Sequence, residues 1–496
     1  MGPILAIDQG TTSTRAILFD GRGRPLKSAR RDLPQHYPGD GWVEHDALDI
    51  WTDTLAVCHE VLERAGLAAD ALACLGITNQ RETAILWDRE TGTPVHRAIV
   101  WQDRRTADLC RALRDRGEEP LVRRTTGLLL DPYFSATKLA WMLDHGGSDL
   151  RRRAEAGELA FGTVDSWLLY KLTGGGVHAT DATNAARTLL FDIRANRWSD
   201  ALLSLFDIPA ALLPQVLDNA GPLGETDPAL FGARVPITGM AGDQHAALVG
   251  QACLSEGMIK CTYGTGAFAL LNIGERFVES RHRLLVTPAY RLNGRTTYAL
   301  EGSIFVAGAA VGWLRDGLRA IDDPSQVQAL AEAVPDAGGC HMVPAFTGLG
   351  APYWDPGARG ALLGLTRDTT LEHIARATLE AQGYQTRDLL EAMAADAGSR
   401  PRALRVDGGM AANDWVCQFL ADINDLRVDR PAVLETTALG AALLAGLGAG
   451  LFPDLQAMAE QWRAERIFTP TMDATRRQTL YAGWVQAVRR VSSDLR

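Results

Sequence analysis

The chain has 496 residues, 46% of them hydrophobic and 22% charged, which exceeds what one compact core holds at roughly 100 to 200 residues per domain. At least two domains are therefore expected. Fifty Lys and Arg stand against 60 Asp and Glu, a net charge of -10, which opposes binding to a nucleic-acid backbone or an anionic membrane and favours small-molecule partners.

In chain order, Ile4 to Ile7 run into Asp8 as a strand, Gln9 to Ser13 form a polar turn, and Ala16 to Phe19 form a second strand. Apolar spacing of three and four predicts helices over Ala47 to Ala65, Leu139 to Leu143 and Ala246 to Ala252, with strands at Leu75 to Thr78 and Ala84 to Asp88. At Ile259 to Tyr263 the opening device returns: a strand, the turn Gly264, Thr265, Gly266, and a strand Phe268 to Leu271. Beyond it follow a strand Thr297 to Leu300, helices Ala307 to Leu318 and His373 to Ala394, a strand Leu404 to Asp407 and a helix Thr437 to Gly446. The mixture is α/β, and the repeated hairpin divides the chain into halves 1–250 and 251–496.

The seven cysteines (58, 74, 110, 253, 261, 340 and 417) form no CxxC pair and no zinc spacing; they suit buried thiols in a reducing cytoplasm. Met1 to Gly10 lacks the basic start of a signal peptide. The longest uncharged stretch, Thr436 to Pro453, is shorter than the roughly 20 apolar residues of a membrane span. Its Gly and Ala content predicts a buried helix packed closely on a neighbour, with no membrane insertion.

Turns of Gly and hydroxyl residues aim backbone N–H groups at one point and suit phosphate. Residues 8–13 and 264–266 are two such turns, and Asp407, Gly408 and Gly409 through Asn413 are a third, following a strand and opening toward a helix. Taken singly, each reads first as an ordinary structural turn; their recurrence in one chain is what points to phosphate. No GxxxxGK[ST] sequence occurs, which excludes a Walker A loop. Asp8, at a strand end, is placed to hold magnesium or to bond its own loop as an Asx-turn. Asp243 precedes an apolar run and reads as a helix N-cap or, at the mouth of a cleft, as a general base. Arg81 and Glu82 follow a strand directly, as a ligand-binding pair or a surface ion pair. Trp101, Tyr133 and Phe268 are core aromatics or walls for the carbons of a small polyol.

Longer motifs, among them IDQGTTSTRA (7–16), GITNQRET (76–83), IVWQDRRT (99–106), DPYFSATK (131–138), AGDQ (241–244), TYGTGAF (262–268) and RVDGGMAAND (405–414), give the chain a resemblance to the FGGY family of carbohydrate kinases, and within it to the members that phosphorylate glycerol. The resemblance implies two actin-like (ribonuclease H-like) ATPase domains flanking a central cleft, with ATP and Mg2+ as cofactors. It implies a polyol site of Arg81, Glu82, Trp101, Tyr133, Asp243, Gln244 and Phe268, with Asp243 as base, and a metal site at Asp8 and Asp243. It carries nucleotide contacts over to Thr11, Thr12, Ser13, Arg15, Thr265, Gly308, Val311, Gly312, Gly409 and Asn413, and implies a homodimer or homotetramer. Ala267 and His245 depart from the residues common there. Phe231 to Arg234 replaces the Gly-Gly-Thr-Arg loop of members inhibited by fructose 1,6-bisphosphate, so that inhibition is not carried over. The competing expectations are a kinase for another sugar, such as a pentulose, erythritol or gluconate, and an actin-like ATPase that moves a partner.

Overall fold

The computed structural model describes residues 2–493. Both expected hairpins form, and each sits at the middle of a sheet of its own. Ile4–Gln9 pairs antiparallel with Ser13–Phe19 and parallel with Cys74–Asn79. Ile259–Tyr263 pairs antiparallel with Ala267–Gly274 and parallel with Ala403–Asp407, which repeats the same unit. The first sheet has six strands, completed by Pro25–Asp32 on one side and by Pro236–Gly242 and Ala220–Glu225 on the other; the second has seven. Every residue of Ile4–Gln9 and of Cys74–Asn79 is buried, because both faces of the sheet are covered. That is why the runs read as continuously apolar instead of alternating.

The helix Ala47–Ala65 has the expected limits. Asp46 caps its start by accepting from the Leu48 N–H, and Gly66 stops it in the left-handed region at φ 64. The long helix extends over Leu371–Ala397, beyond both expected ends. The run at Ala246 begins its helix three residues earlier, as Asp243–Gly250, because Gly242 and not Asp243 takes the capping position. Several strands escaped sequence reading, among them Pro25–Asp32, Ala220–Glu225 and Arg427–Pro431, and for two others the cause is visible. Pro236–Gly242 is rich in Gly, and Leu285–Leu292 contains Pro288, both of which weaken the strand signature.

The helix Thr436–Gly448 is buried over most of its length and packs against the helix Asp243–Gly250, the close packing expected from its composition. It also lies on strands of the first sheet, although it comes from the second half of the sequence. A core of Ile4, Ala6, Ala246, Leu270, Ala299, Ala441 and Leu444 therefore joins the halves. Among the described residues no helix is long and apolar enough to cross a membrane.

Candidate active site

Three neighbouring strand ends build the site. Gln9 and Gly242 both register with Asn79, so the carboxyl ends of three parallel strands are level. Asp8 lies at the end of the first, Arg81 and Glu82 follow the second by two residues, and Asp243 follows the third directly. Ligands in open α/β sheets collect at that edge.

Arg81 and Glu82 are buried, 3% and 1% exposed, which removes the surface ion-pair reading. The Arg81 Nε lies 3.1 Å from Asp243 Oδ1 as an ion pair. Its Nη1 and Nη2 donate to the two oxygens of Glu301 at 2.9 and 3.0 Å. Arg187, fully buried, donates from Nε to Glu82 Oε1 at 2.6 Å and from both Nη atoms to Glu301 at 3.0 and 3.3 Å. Glu82 itself stands at φ 63, and the Thr83 N–H closes a three-residue turn on the Arg81 carbonyl at 2.7 Å. Left-handed backbone at a glutamate is strained and tends to occur where a side chain must be aimed. Burial raises the Glu82 carboxyl above its ordinary range against the pull of Arg81 and Arg187. Burial acts the same way on Glu301, but there the two arginines win and hold it well below that range.

Asp243 is the most open of these groups, its side chain 30% exposed. Oδ1 accepts the Gln244 backbone N–H at 2.6 Å and pairs with the Arg81 Nε, which leaves Oδ2 for a ligand. Gln244 accepts from Lys260 Nζ at 2.5 Å, a buried ammonium reaching over from the second half, whose pKa burial pushes down. Trp101 donates from Nε1 to Thr11 Oγ1 at 2.8 Å and meets the Tyr133 ring edge-on at 5.6 Å. Lys138, fully buried, donates to the carbonyls of Pro132, Tyr133 and Phe134 at 2.6, 2.6 and 3.0 Å and so fixes the Tyr133 loop. Phe268 lies opposite Ser303, on the same face of its strand as Leu270, which lies opposite Glu301.

The second group of expected residues also converges. The Gly308 N–H bonds the Gly264 carbonyl at 2.9 Å, and those of Ala307 and Ala309 bond the Thr265 carbonyl, so the helix Gly308–Asp316 starts on the hairpin turn. A Cβ at Gly408 would lie 2.5 Å from the Tyr263 carbonyl, which brings the third glycine turn against the same hairpin. Gly312 and Gly409 face open space: a Cβ on either would meet nothing within 4 Å, which leaves room for a ligand at the backbone. Asn413 differs from a free contact residue, since its side chain caps the helix Asp414–Asn424 by accepting from the Val416 N–H. On the first hairpin, the Gly10 N–H bonds the Ser13 carbonyl to close the turn carrying Thr11 and Thr12. Arg15 pairs with Glu435 at 2.6 Å across the two halves.

Asp8 and Asp243 fit a hard cation. Among the described residues nothing donates a hydrogen bond to the Asp8 carboxylate, and burial, reinforced by Asp243 and Glu435 and opposed by Arg15, pushes its pKa up to about 6. A buried carboxylate without a donor, repelled by the charge of a second one, is a pair that a cation relieves.

Sequence reading missed Arg187, Glu301, Lys260, Lys138 and Glu435. A signal existed for the first three: each is a lone charge inside an apolar run (AARTLL, YALEGSI, MIKCTY), and a charge in a buried element requires a partner. Which partner it meets is settled only by the fold.

Models of the N-terminal and C-terminal domains of the FGGY family of carbohydrate kinases match residues 3–250 and 259–449. A glycerol kinase of Rhodospirillum rubrum is 73% identical over 493 residues, 99% of each chain. One from Alcanivorax borkumensis is 62% identical over 493 residues, again 99% of each. The crystal structure of Plasmodium falciparum glycerol kinase with ADP superimposes with a TM-score of 0.93 at 36% identity, covering 99% of this chain and 98% of that one. With both family domains matched and relatives alike along the whole length, this chain belongs to the FGGY family of carbohydrate kinases.

Proposed function

We propose that the chain transfers the γ-phosphate of ATP to glycerol, giving glycerol 3-phosphate and ADP. Asp243 carries this reading: its Oδ2 is open at the edge where three strands end, while Arg81 and the Gln244 amide hold Oδ1. Phosphoryl transfer passes through a loose transition state, so alignment and charge stabilisation matter more than prior deprotonation, and an ordinary carboxylate suffices as base. Asp243 orients a terminal hydroxyl toward the γ-phosphorus and takes its proton late in the transfer. Arg81 and Glu82 hold the remaining hydroxyls, with Gln244 beside them. Trp101, Tyr133 and Phe268 wall the carbons.

Backbone amides around Thr11, Thr12, Ser13 and Thr265, with Arg15, stabilise phosphate charge. Gly308, Val311, Gly312, Gly409 and Asn413 line the rest of the nucleotide site. Asp8 and Asp243 are the residues that would hold Mg2+, which when bound neutralises phosphate charge. Closure of the halves excludes water, the competing nucleophile.

The two domains are read as 1–250 and 251–496, each carrying one large sheet. A cytoplasmic setting, free of membrane and nucleic acid, suits seven cysteines that are all buried and unpaired. A homodimer or homotetramer is the assembly we assign.

Incubating the purified chain with ATP and a polyol panel, with coupled detection of ADP and NMR identification of the product, tests the activity. The highest kcat/KM is expected for glycerol; a higher value for xylulose or erythritol, or ATP turnover independent of any polyol, overturns the reading. Glu82→Ala is expected to lower kcat/KM for glycerol about tenfold to a hundredfold, the worth of one partner at roughly 1 to 3 kcal/mol. The same assay checks it.

A further inference from the structure

Two buried arginines and two buried glutamates alternate beneath the strand ends of the site. Arg81 and Arg187 come from the first half of the chain, and Glu301, fully buried, comes from the strand Arg295–Ile304 of the second. The single Glu301 carboxylate accepts from both Nη atoms of Arg81 and both Nη atoms of Arg187. Arg187 then continues to Glu82, and Arg81 to Asp243. The chain of contacts thus runs from the expected base to the expected hydroxyl acceptor through a residue of the opposite domain.

The valences left over point to the use of this network. Arg81 has five N–H bonds, of which two serve Glu301, while its Nε lies beside Asp243 as an ion pair. The other Nη hydrogens have no acceptor among the described residues. Glu82 gives Oε1 to Arg187, and among the described residues nothing donates to its Oε2. Removing the Glu301 charge would let the Arg81 guanidinium swing its Nη groups toward the other carboxylates within ion-pair distance among the described residues, Glu82 at 3.9 Å and Asp243 at 3.1 Å. It would thereby occupy the groups that face the ligand. Arg187, losing the same carboxylate, would no longer hold Glu82 in one orientation. Bidentate guanidinium contacts supply direction as well as charge.

We infer that Glu301 is a positioning residue for the polyol pocket, acting through Arg81 and through Arg187 and Glu82, so that the second domain sets the hydroxyl-binding geometry of the first. The inference rests on the glycerol reading above and extends it to two residues, Glu301 and Arg187, outside the polyol-contact set.

The test uses the full chain with Glu301→Gln, which keeps shape and removes charge, and Glu301→Asp, which keeps charge. Kinetics are measured with glycerol, propane-1,2-diol and propane-1,3-diol, each diol lacking one hydroxyl. Glu301→Gln is expected to raise KM for glycerol about tenfold to a hundredfold, with KM for ATP within about twofold of wild type. The larger of the two preferences for glycerol over a diol is expected to fall about tenfold, because hydroxyl recognition is what is lost. Glu301→Asp is expected to restore part of both.

If Glu301→Gln does not fold, the charge-balanced pair Glu301→Gln with Arg187→Gln keeps one Arg and one Glu and is expected to show the same KM split. Unchanged glycerol KM, or glycerol and ATP parameters that worsen together while the diol preferences hold, overturns the inference and leaves Glu301 a purely structural ion. Failure of the function itself looks different: wild-type protein then shows no glycerol-dependent ADP release.

Discussion

Asp243→Asn is expected to reduce kcat by about 10² to 10⁴ while nucleotide binding stays nearly intact. Asparagine retains an oxygen in the Oδ1 position, so the hydrogen bond from the Gln244 amide survives and the Arg81 Nε keeps a polar neighbour, and the helix Asp243–Gly250 keeps its place. Only Oδ2 changes, from an acceptor to an amide that cannot take a proton. The effect should therefore appear in the chemical step and not in the fold, with an unaltered melting temperature and an unaltered ADP Kd by calorimetry. At roughly 1.4 kcal/mol per factor of ten, the loss is about 3 to 6 kcal/mol of barrier. A purified Asp243→Asn enzyme with the wild-type kcat would remove the base assignment.

Gly440→Ala is expected to be the most damaging small substitution outside the ligand groups. A Cβ there would lie 1.8 Å from the Ala246 carbonyl oxygen and 2.5 Å from its carbon. Both are backbone atoms of the helix that begins with Asp243. The fit is mutual, because a Cβ at Gly250 would come within 1.9 Å of the Thr436 carbonyl oxygen. Nor can the helix Thr436–Gly448 retreat, since Cβ atoms at Gly76 and Gly239 would fall 2.3 and 2.2 Å from its backbone at Ala441 and Ala445.

Overpacking of this kind costs about 3 kcal/mol where no side chain can yield. A lowered midpoint in denaturant is the measured result, accompanied by a higher glycerol KM because the displaced helix carries Asp243. Gly312→Ala supplies the contrast. Its Cβ meets nothing within 4 Å and sits inside the helix Gly308–Asp316. The unfolding midpoint should stay level or rise, the helix gaining about 0.5 to 1 kcal/mol, while KM for ATP rises if the nucleotide occupies that space. Wild-type unfolding of Gly440→Ala, or unchanged ATP kinetics in Gly312→Ala, would contradict these packing arguments.

Much of the architecture was legible in local chemistry. The two hairpins announce themselves because apolar runs fully buried on both faces are interrupted by turns of Gly and Thr. The helix Ala47–Ala65 is bounded by Asp46 and Gly66, whose capping geometries are local properties. Boundaries failed where the deciding contact was distant. Asp243 looks like a cap for the apolar run at Ala246, yet Gly242 takes that place because the strand Pro236–Gly242 must end level with Asn79.

The residue types of the site, a carboxylate after one strand, an Arg-Glu pair after another and three glycine turns, are written in the chain and point to phosphate and polyol chemistry through their own donors and acceptors. What only tertiary structure decides is their company. That Arg81 is shared between Asp243 and Glu301, 220 residues away in sequence, that Lys260 reaches Gln244, and that a helix of the second half lies on the first sheet all depend on level strand ends and glycine-lined helix contacts. Electrostatics in a buried cleft acts through distance in space, and sequence separation carries no measure of it.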